Sequence, residues 1–449
     1  MGVVVVFADA SRLFKSFQRK HLLRNTLDKS QNYYNISDNL KYIIISLISC
    51  CILLSSFLFN DFQEIFSGMK KIAATPSILV TDYMEVANIG TAFFNSGLLM
   101  ITGVLISKIS KIQMNGPLIS AIFTIGGFAL FGKNIYNIWA IIVGVYLYSV
   151  YQKENFSKFI LIALFGTALG PLVSQISFGF DIPMPYSIVL ANMIGLAAGF
   201  CLPSLANQFV LFHQGFNLYN VGFTAGITGM VFMAIFRAFD FDTDSQMLIV
   251  SNGNNQILSV YLMVMFSVMM LIGLFYSNHV FTSLLRIWDK SGRLVSDFVS
   301  SNGFGPSMVN MSLLGLISTG YVFFVGGDLT GPTIGGIFTI VGFGAFGKHV
   351  KNVVPILLGV YLASLLKLWE PNSMGAMLAA LFGTTLAPIS GTYGWKYGII
   401  AGFVHMSMVM NVGYLHGGMN LYNNGFSGGF VAAVLVPVFD SIKKNYKVS

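Results

Sequence analysis

The apolar positions of this chain gather into fourteen segments between Tyr42 and Phe439. Seven lie near 42–59, 84–107, 116–131, 135–151, 157–176, 186–203 and 218–237. Seven more lie near 256–277, 306–326, 331–346, 351–366, 374–392, 396–415 and 421–438. About 20 apolar residues in a helix cross the ~30 Å of bilayer hydrocarbon. The stretches between the segments are too short for a separate soluble domain. The pattern therefore predicts an all-α polytopic membrane protein with about 10–14 transmembrane helices, the shorter segments being candidates for re-entrant half-helices. Composition agrees: 55% of the residues are hydrophobic and 9% charged, where a soluble domain carries about a quarter charged.

The two sets of seven are copies of one unit. Gly116 to Lys133 reads GPLISAIFTIGGFALFGK and Gly331 to Lys348 reads GPTIGGIFTIVGFGAFGK, alike at 12 of 18 positions at a shift of 215. The same shift pairs Asn95 with Asn310, Asp82 with Asp297 and Gly144-Val145-Tyr146-Leu147 with Gly359-Val360-Tyr361-Leu362. A shift of 217 pairs Thr167 and Pro171 with Thr384 and Pro388, and one of 203 pairs His213 and Asn217-Leu218-Tyr219-Asn220 with His416 and Asn420-Leu421-Tyr422-Asn423. Ordered matches of this kind identify a duplication.

Seven crossings per copy would turn the second copy upside down. With all fourteen segments crossing and the N-terminus inside, 20 of the 25 lysines and arginines fall on the inner side, as the positive-inside rule requires. The organisation read from this is a basic cytoplasmic arm over 1–41, repeat 1 over 42–240, an extracytoplasmic acidic linker over 241–255, inverted repeat 2 over 256–440, and a basic cytoplasmic tail over 441–449. One re-entrant segment per copy would make the repeats parallel, and two would keep them inverted. The location expected is the plasma (inner) membrane of a bacterium.

Inverted-repeat transporters place their sites at the repeat interface where helices break, so matched breaks are the candidates. His213, Asn217, Tyr219 and Asn220, with His416, Asn420, Tyr422 and Asn423, gather amide, imidazole and phenol groups at one such break. They read either as solute contacts or as a capping loop. Asn95 and Asn310, in otherwise apolar segments, read either as pathway groups or as interhelical ties. Gly116-Pro117 and Gly331-Pro332 open glycine-rich helices that pack closely or re-enter. Lys133, Lys348, Asp82 and Asp297 fall at segment ends and are read as interface anchors and caps.

No carboxylate or cation stands at the centre of a span, so an amide- and aromatic-lined path for a small neutral or weakly polar solute is the expectation. A non-transporting scaffold or assembly factor, and an unfamiliar membrane enzyme, are the alternatives. No catalytic motif, metal-ligand spacing or disulfide framework is present in the sequence, and neither catalytic residues, a cofactor nor a metal is expected. The +8 charge lies in short loops and termini, a topology signal and not a nucleic-acid face. The expected partners are the bilayer and a small solute, with a homo-oligomer left open.

The segments LVTDYMEVANIGTAFFNSG, GPLISAIFTIGGFALFGKN and HQGFNLYNVGFTAG, with their second-half partners, resemble a prokaryotic membrane family catalogued as domain of unknown function 1576. The resemblance runs from about Thr75 to Phe439 and supplies no activity. Ile89 to Gly97 and Asn217 to Phe223 also resemble, more weakly, two stretches of urea transporters, without that family's tandem Asn-Pro. That likeness implies an inverted-repeat channel for a small amide-like solute.

Overall fold

All fourteen segments form helices in the computed structural model, which describes residues 36–243, 249–366 and 368–448. The basic arm up to residue 35, the Asp244 end of the acidic cluster, Lys367 and Ser449 lie outside the described residues. Repeat 1 comprises α1 (Asp38–Ser55), α2 (Ile89–Ile109), α3 (Gly116–Phe128), α4 (Trp139–Tyr151), α5 (Ile160–Gly166, resuming as Gly170–Phe178), α6 (Tyr186–Phe212) and α7 (Asn220–Ala238). Repeat 2 comprises α8 (Asn255–Phe275), α9 (Phe304–Phe324), α10 (Gly331–Phe343), α11 (Val350–Ser364), α12 (Met374–Gly383, resuming as Ala387–Tyr393), α13 (Trp395–Val412) and α14 (Asn423–Val448).

Among the described residues, ten helices are long and apolar enough to span a membrane. The chain is a multi-pass membrane protein. The short helices are α3, α4, α10 and α11; at 13 residues α3 and α10 reach only ~20 Å. Their ends are built locally. Asn115 and Thr330 cap the N-termini and a proline follows in the first turn. At the other ends Gly132 (φ +89°) and Gly347 (φ +150°) turn the chain, so that Lys133 and Lys348 N–H bond back to Phe128 and Phe343 carbonyls. Sequence reading also missed the short helices Phe62–Ala73 and Val280–Trp288, whose mixed polar and apolar faces do not form an apolar run.

Equivalent helices of the two repeats pair antiparallel at the centre. In α3 and α10, Gly127 lies against Gly335, Gly342 against Ser120 and Phe123, and Phe123 meets Phe338 at a centroid distance of 6.4 Å. A Cβ on Gly335 would stand 2.6 Å from Gly127 O, so only glycine permits this approach. In α7 and α14, Gly222 faces Tyr422, Gly226 faces Phe426 and Gly429 faces Phe223. Each contact recurs when matched residues are exchanged. A pseudo-two-fold axis therefore passes through both pairs, the geometry that inverted repeats produce.

The repeats also cap one another. Asp297 accepts from Gly116 N–H at 3.1 Å, and Asp82 accepts from Gly331 N–H at 3.2 Å. Each half-helix start thus holds a carboxylate of the other repeat against its positive end.

Candidate functional site

The site grows from the breaks that lead into α7 and α14. Leu218 N–H bonds to Thr385 O at the interruption of α12, and Leu421 N–H bonds to Ala168 O at that of α5. These bonds bring Tyr219 and Tyr422 together on the axis, ring centroids 5.2 Å apart and both almost fully buried. Phe343 flanks Tyr219 at 4.8 Å and Phe128 flanks Tyr422 at 4.7 Å.

Two lysines complete this centre. Lys133 and Lys348 are 0% exposed, which corrects their reading as interface anchors. They follow half-helices that stop inside the protein, so the segment end is not the membrane surface. Lys348 Nζ donates to Tyr219 Oη at 2.6 Å and to Thr384 Oγ1 at 2.7 Å. Lys133 Nζ has no hydrogen-bond partner and lies over the Phe128 and Tyr422 rings at 5.0 and 5.9 Å. Tyr422 Oη and Thr124 Oγ1 are likewise buried and lie beside one another with no other partner. The premise that no charged residue sits within the core is therefore overturned.

Most of the candidate amides are satisfied by the protein. Asn95 Nδ2 donates to Ala129 O and Lys133 O, and Asn310 Nδ2 to Gly344 O and Lys348 O, all at 2.7–2.8 Å. They tie α2 and α9 to the ends of the half-helices. Asn217 Nδ2 donates to Gly425 O and its Oδ1 accepts from Tyr219 N–H and Thr385 Oγ1. Asn420 repeats the pattern with Gly222 O and Tyr422 N–H. His213 Nε2 donates to Asn220 Oδ1 at 3.0 Å and His416 Nε2 to Asn423 Oδ1 at 2.9 Å.

A cavity of about 340 Å³ reaches the centre from one side. Its floor holds Tyr219, Tyr422 and Phe343, its wall Phe165 and Asn220, and its mouth Val295. Of the candidates it therefore gathers Tyr219, Asn220 and Tyr422. Val295 is 91% exposed, whereas its equivalent Val80 is 6% exposed. The difference has a visible cause. On the Val80 side the inter-repeat linker pairs with the chain: Ile249 N–H bonds to Val80 O, Asp82 N–H to Ile249 O, and Ser251 Oγ donates to Asp82 at 2.6 Å. The aromatic wall is also flatter there, Phe128 stacking on Phe382 at 10° where the matched Phe343 and Phe165 tilt by 36°.

A family model described as a protein of unknown function (DUF1576) matches residues 61–238 and 276–441. The chain belongs to this family. The two matched stretches fall one on each repeat of the DUF1576 chain and together take in every candidate residue. No curated protein and no solved structure matches it.

Proposed function

We propose that this protein moves a small solute across the plasma membrane by alternating access of its two inverted repeats, with both termini cytoplasmic. One observation carries the reading: equivalent positions of the two repeats stand in unequal states, Val295 open at the mouth of a cavity and Val80 sealed by the linker. Two copies of one unit packed antiparallel about a central site exchange states when the molecule rocks from one side to the other. The solute meets Tyr219, Tyr422 and Asn220 at the cavity floor and wall. The expectation of a neutral solute rests on spans without a central charge; Lys133 and Lys348, buried just beyond the ends of α3 and α10, lift that restriction.

A second reading is a membrane scaffold, favoured by the many amides bonded within the protein. Catalysis is not proposed. Proteoliposomes separate transport from scaffolding. The expected result is accelerated uptake of at least one member of a panel of urea, ammonium and small neutral or anionic metabolites. In a background without Cys50, Cys51 and Cys201, Val295→Cys should react with an aqueous maleimide at rest, and Val80→Cys only during turnover. No flux for any solute, together with a Val80→Cys that never reacts, overturns the transport reading.

A further inference from the structure

A buried amine needs hydrogen-bond partners, and an unpaired one inside a membrane protein is expensive enough to mark function. Here the repeat supplies its own comparison. At Lys348 the amine is bound by a tyrosine and a threonine hydroxyl. At Lys133 the same residue types stand nearby, yet Lys133 Nζ has no partner, and Tyr422 Oη has only Thr124 Oγ1 beside it. One half of the centre is complete and the other lacks something.

The missing component is a hydrogen-bond acceptor for Lys133 Nζ, and an anionic acceptor makes the stronger bond. Both lysines follow the C-terminal, negative ends of half-helices and lie over aromatic faces, two features that favour the charged amine. Asp82 and Asp297 are occupied by backbone N–H groups and serine hydroxyls, and neither forms an ion pair with the lysines among the described residues. The cavity stops at Tyr422, whose ring separates it from Lys133, and is lined mainly by apolar groups, Leu161, Phe165, Val210 and Phe343 among them, with no arginine. A phosphate or dicarboxylate would bring a second charge, and the cavity lining holds no cation to meet it.

We propose that the transported solute is a small monovalent organic anion of the monocarboxylate class, its charge met by Lys133 with Tyr422 Oη donating beside it. This rests on the transport reading above. In the opposite state Lys348 and Tyr219 take that role, and Lys133 turns to its own hydroxyls, Tyr422 and Thr167.

The test uses full-length protein in liposomes with labelled propionate, its uncharged isostere propionamide, and urea. Propionate uptake should exceed propionamide uptake and be competed by acetate. Lys133→Met should lower it by about tenfold or more, the loss of a charge-assisted bond, while Lys133→Arg keeps part of it. Propionate, and not propionamide, should raise the melting temperature of the wild type in detergent, a readout independent of whether the variants fold. Uptake of urea or propionamide without propionate, or propionate uptake unchanged in Lys133→Met, overturns the anion assignment and leaves transport standing. Absence of propionate flux with no melting shift overturns the anion assignment, and the wider panel with the Val80→Cys labelling decides the transport reading separately.

Discussion

Asn310 offers the sharpest energetic test of how the core is held. Alanine there removes the bonds donated to Gly344 O and Lys348 O at 2.8 Å and the bond accepted from Trp288 Nε1 at 3.3 Å. A buried carbonyl left without a donor costs about 1–3 kcal/mol. Interhelical bonds inside membranes average only ~0.6 kcal/mol, because the disrupted state finds other partners. Two carbonyls at a helix end that faces protein place Asn310→Ala at about 2–4 kcal/mol. Asn95→Ala loses the same pair of bonds, but Asn95 Oδ1 has no donor to lose. Its cost should be lower by about 0.5–1 kcal/mol. Asn310→Leu keeps the branched shape and leaves no cavity, and so separates the hydrogen bonds from the space that alanine would empty. The assay is reversible unfolding of purified protein in mixed micelles, titrated with SDS and followed by tryptophan fluorescence. Asn310→Leu within about 0.5 kcal/mol of wild type would refute a tying role.

Four further outcomes are expected. Gly335→Ala sets a Cβ 2.6 Å from Gly127 O and 2.5 Å from the Phe131 ring, and should cost about 1–3 kcal/mol and reduce monodisperse protein on size exclusion. Gly320→Ala, with nothing within 4 Å of the new Cβ, should be neutral or stabilising by up to ~1 kcal/mol. Asp82→Ala should destabilise more than Asp297→Ala, by about 1–3 kcal/mol in the same titration, because Asp82 is fully buried and strands the Ser251, Met84 and Gly331 N–H groups. In the cysteine-free background, Asp242→Cys and Asp289→Cys should label from opposite faces of intact vesicles; labelling from one face would contradict inverted repeats in the bilayer.

The membrane class, the fourteen helices and the duplication were legible because each depends on apolar runs or on self-comparison, both local properties of the chain. The antiparallel pairing was foreshadowed by odd crossing parity and by the placement of lysine and arginine. The lysines were not. Lys133 and Lys348 follow apolar runs of ordinary appearance, and only the three-dimensional stop of α3 and α10 shows that those ends lie within the protein. The role of Asn95 and Asn310 was equally hidden, since their partners are backbone carbonyls more than 30 residues away. Matched spacing of asparagine and the Phe-Gly-Lys turn, 38 residues apart in both copies, was the one available sign.

The exchanged caps have a bearing on how the halves assemble. Asp82 serves the half-helix of repeat 2 and Asp297 that of repeat 1. A lone unit would keep its own Asn115- or Thr330-type cap but would leave the first N–H of the half-helix, and the carboxylate that meets it here, without each other. Each half therefore completes the other's half-helix start, and the inter-repeat segment closes on one side only. Split at that segment and co-expressed, the two halves should reassemble; expressed singly, neither should accumulate.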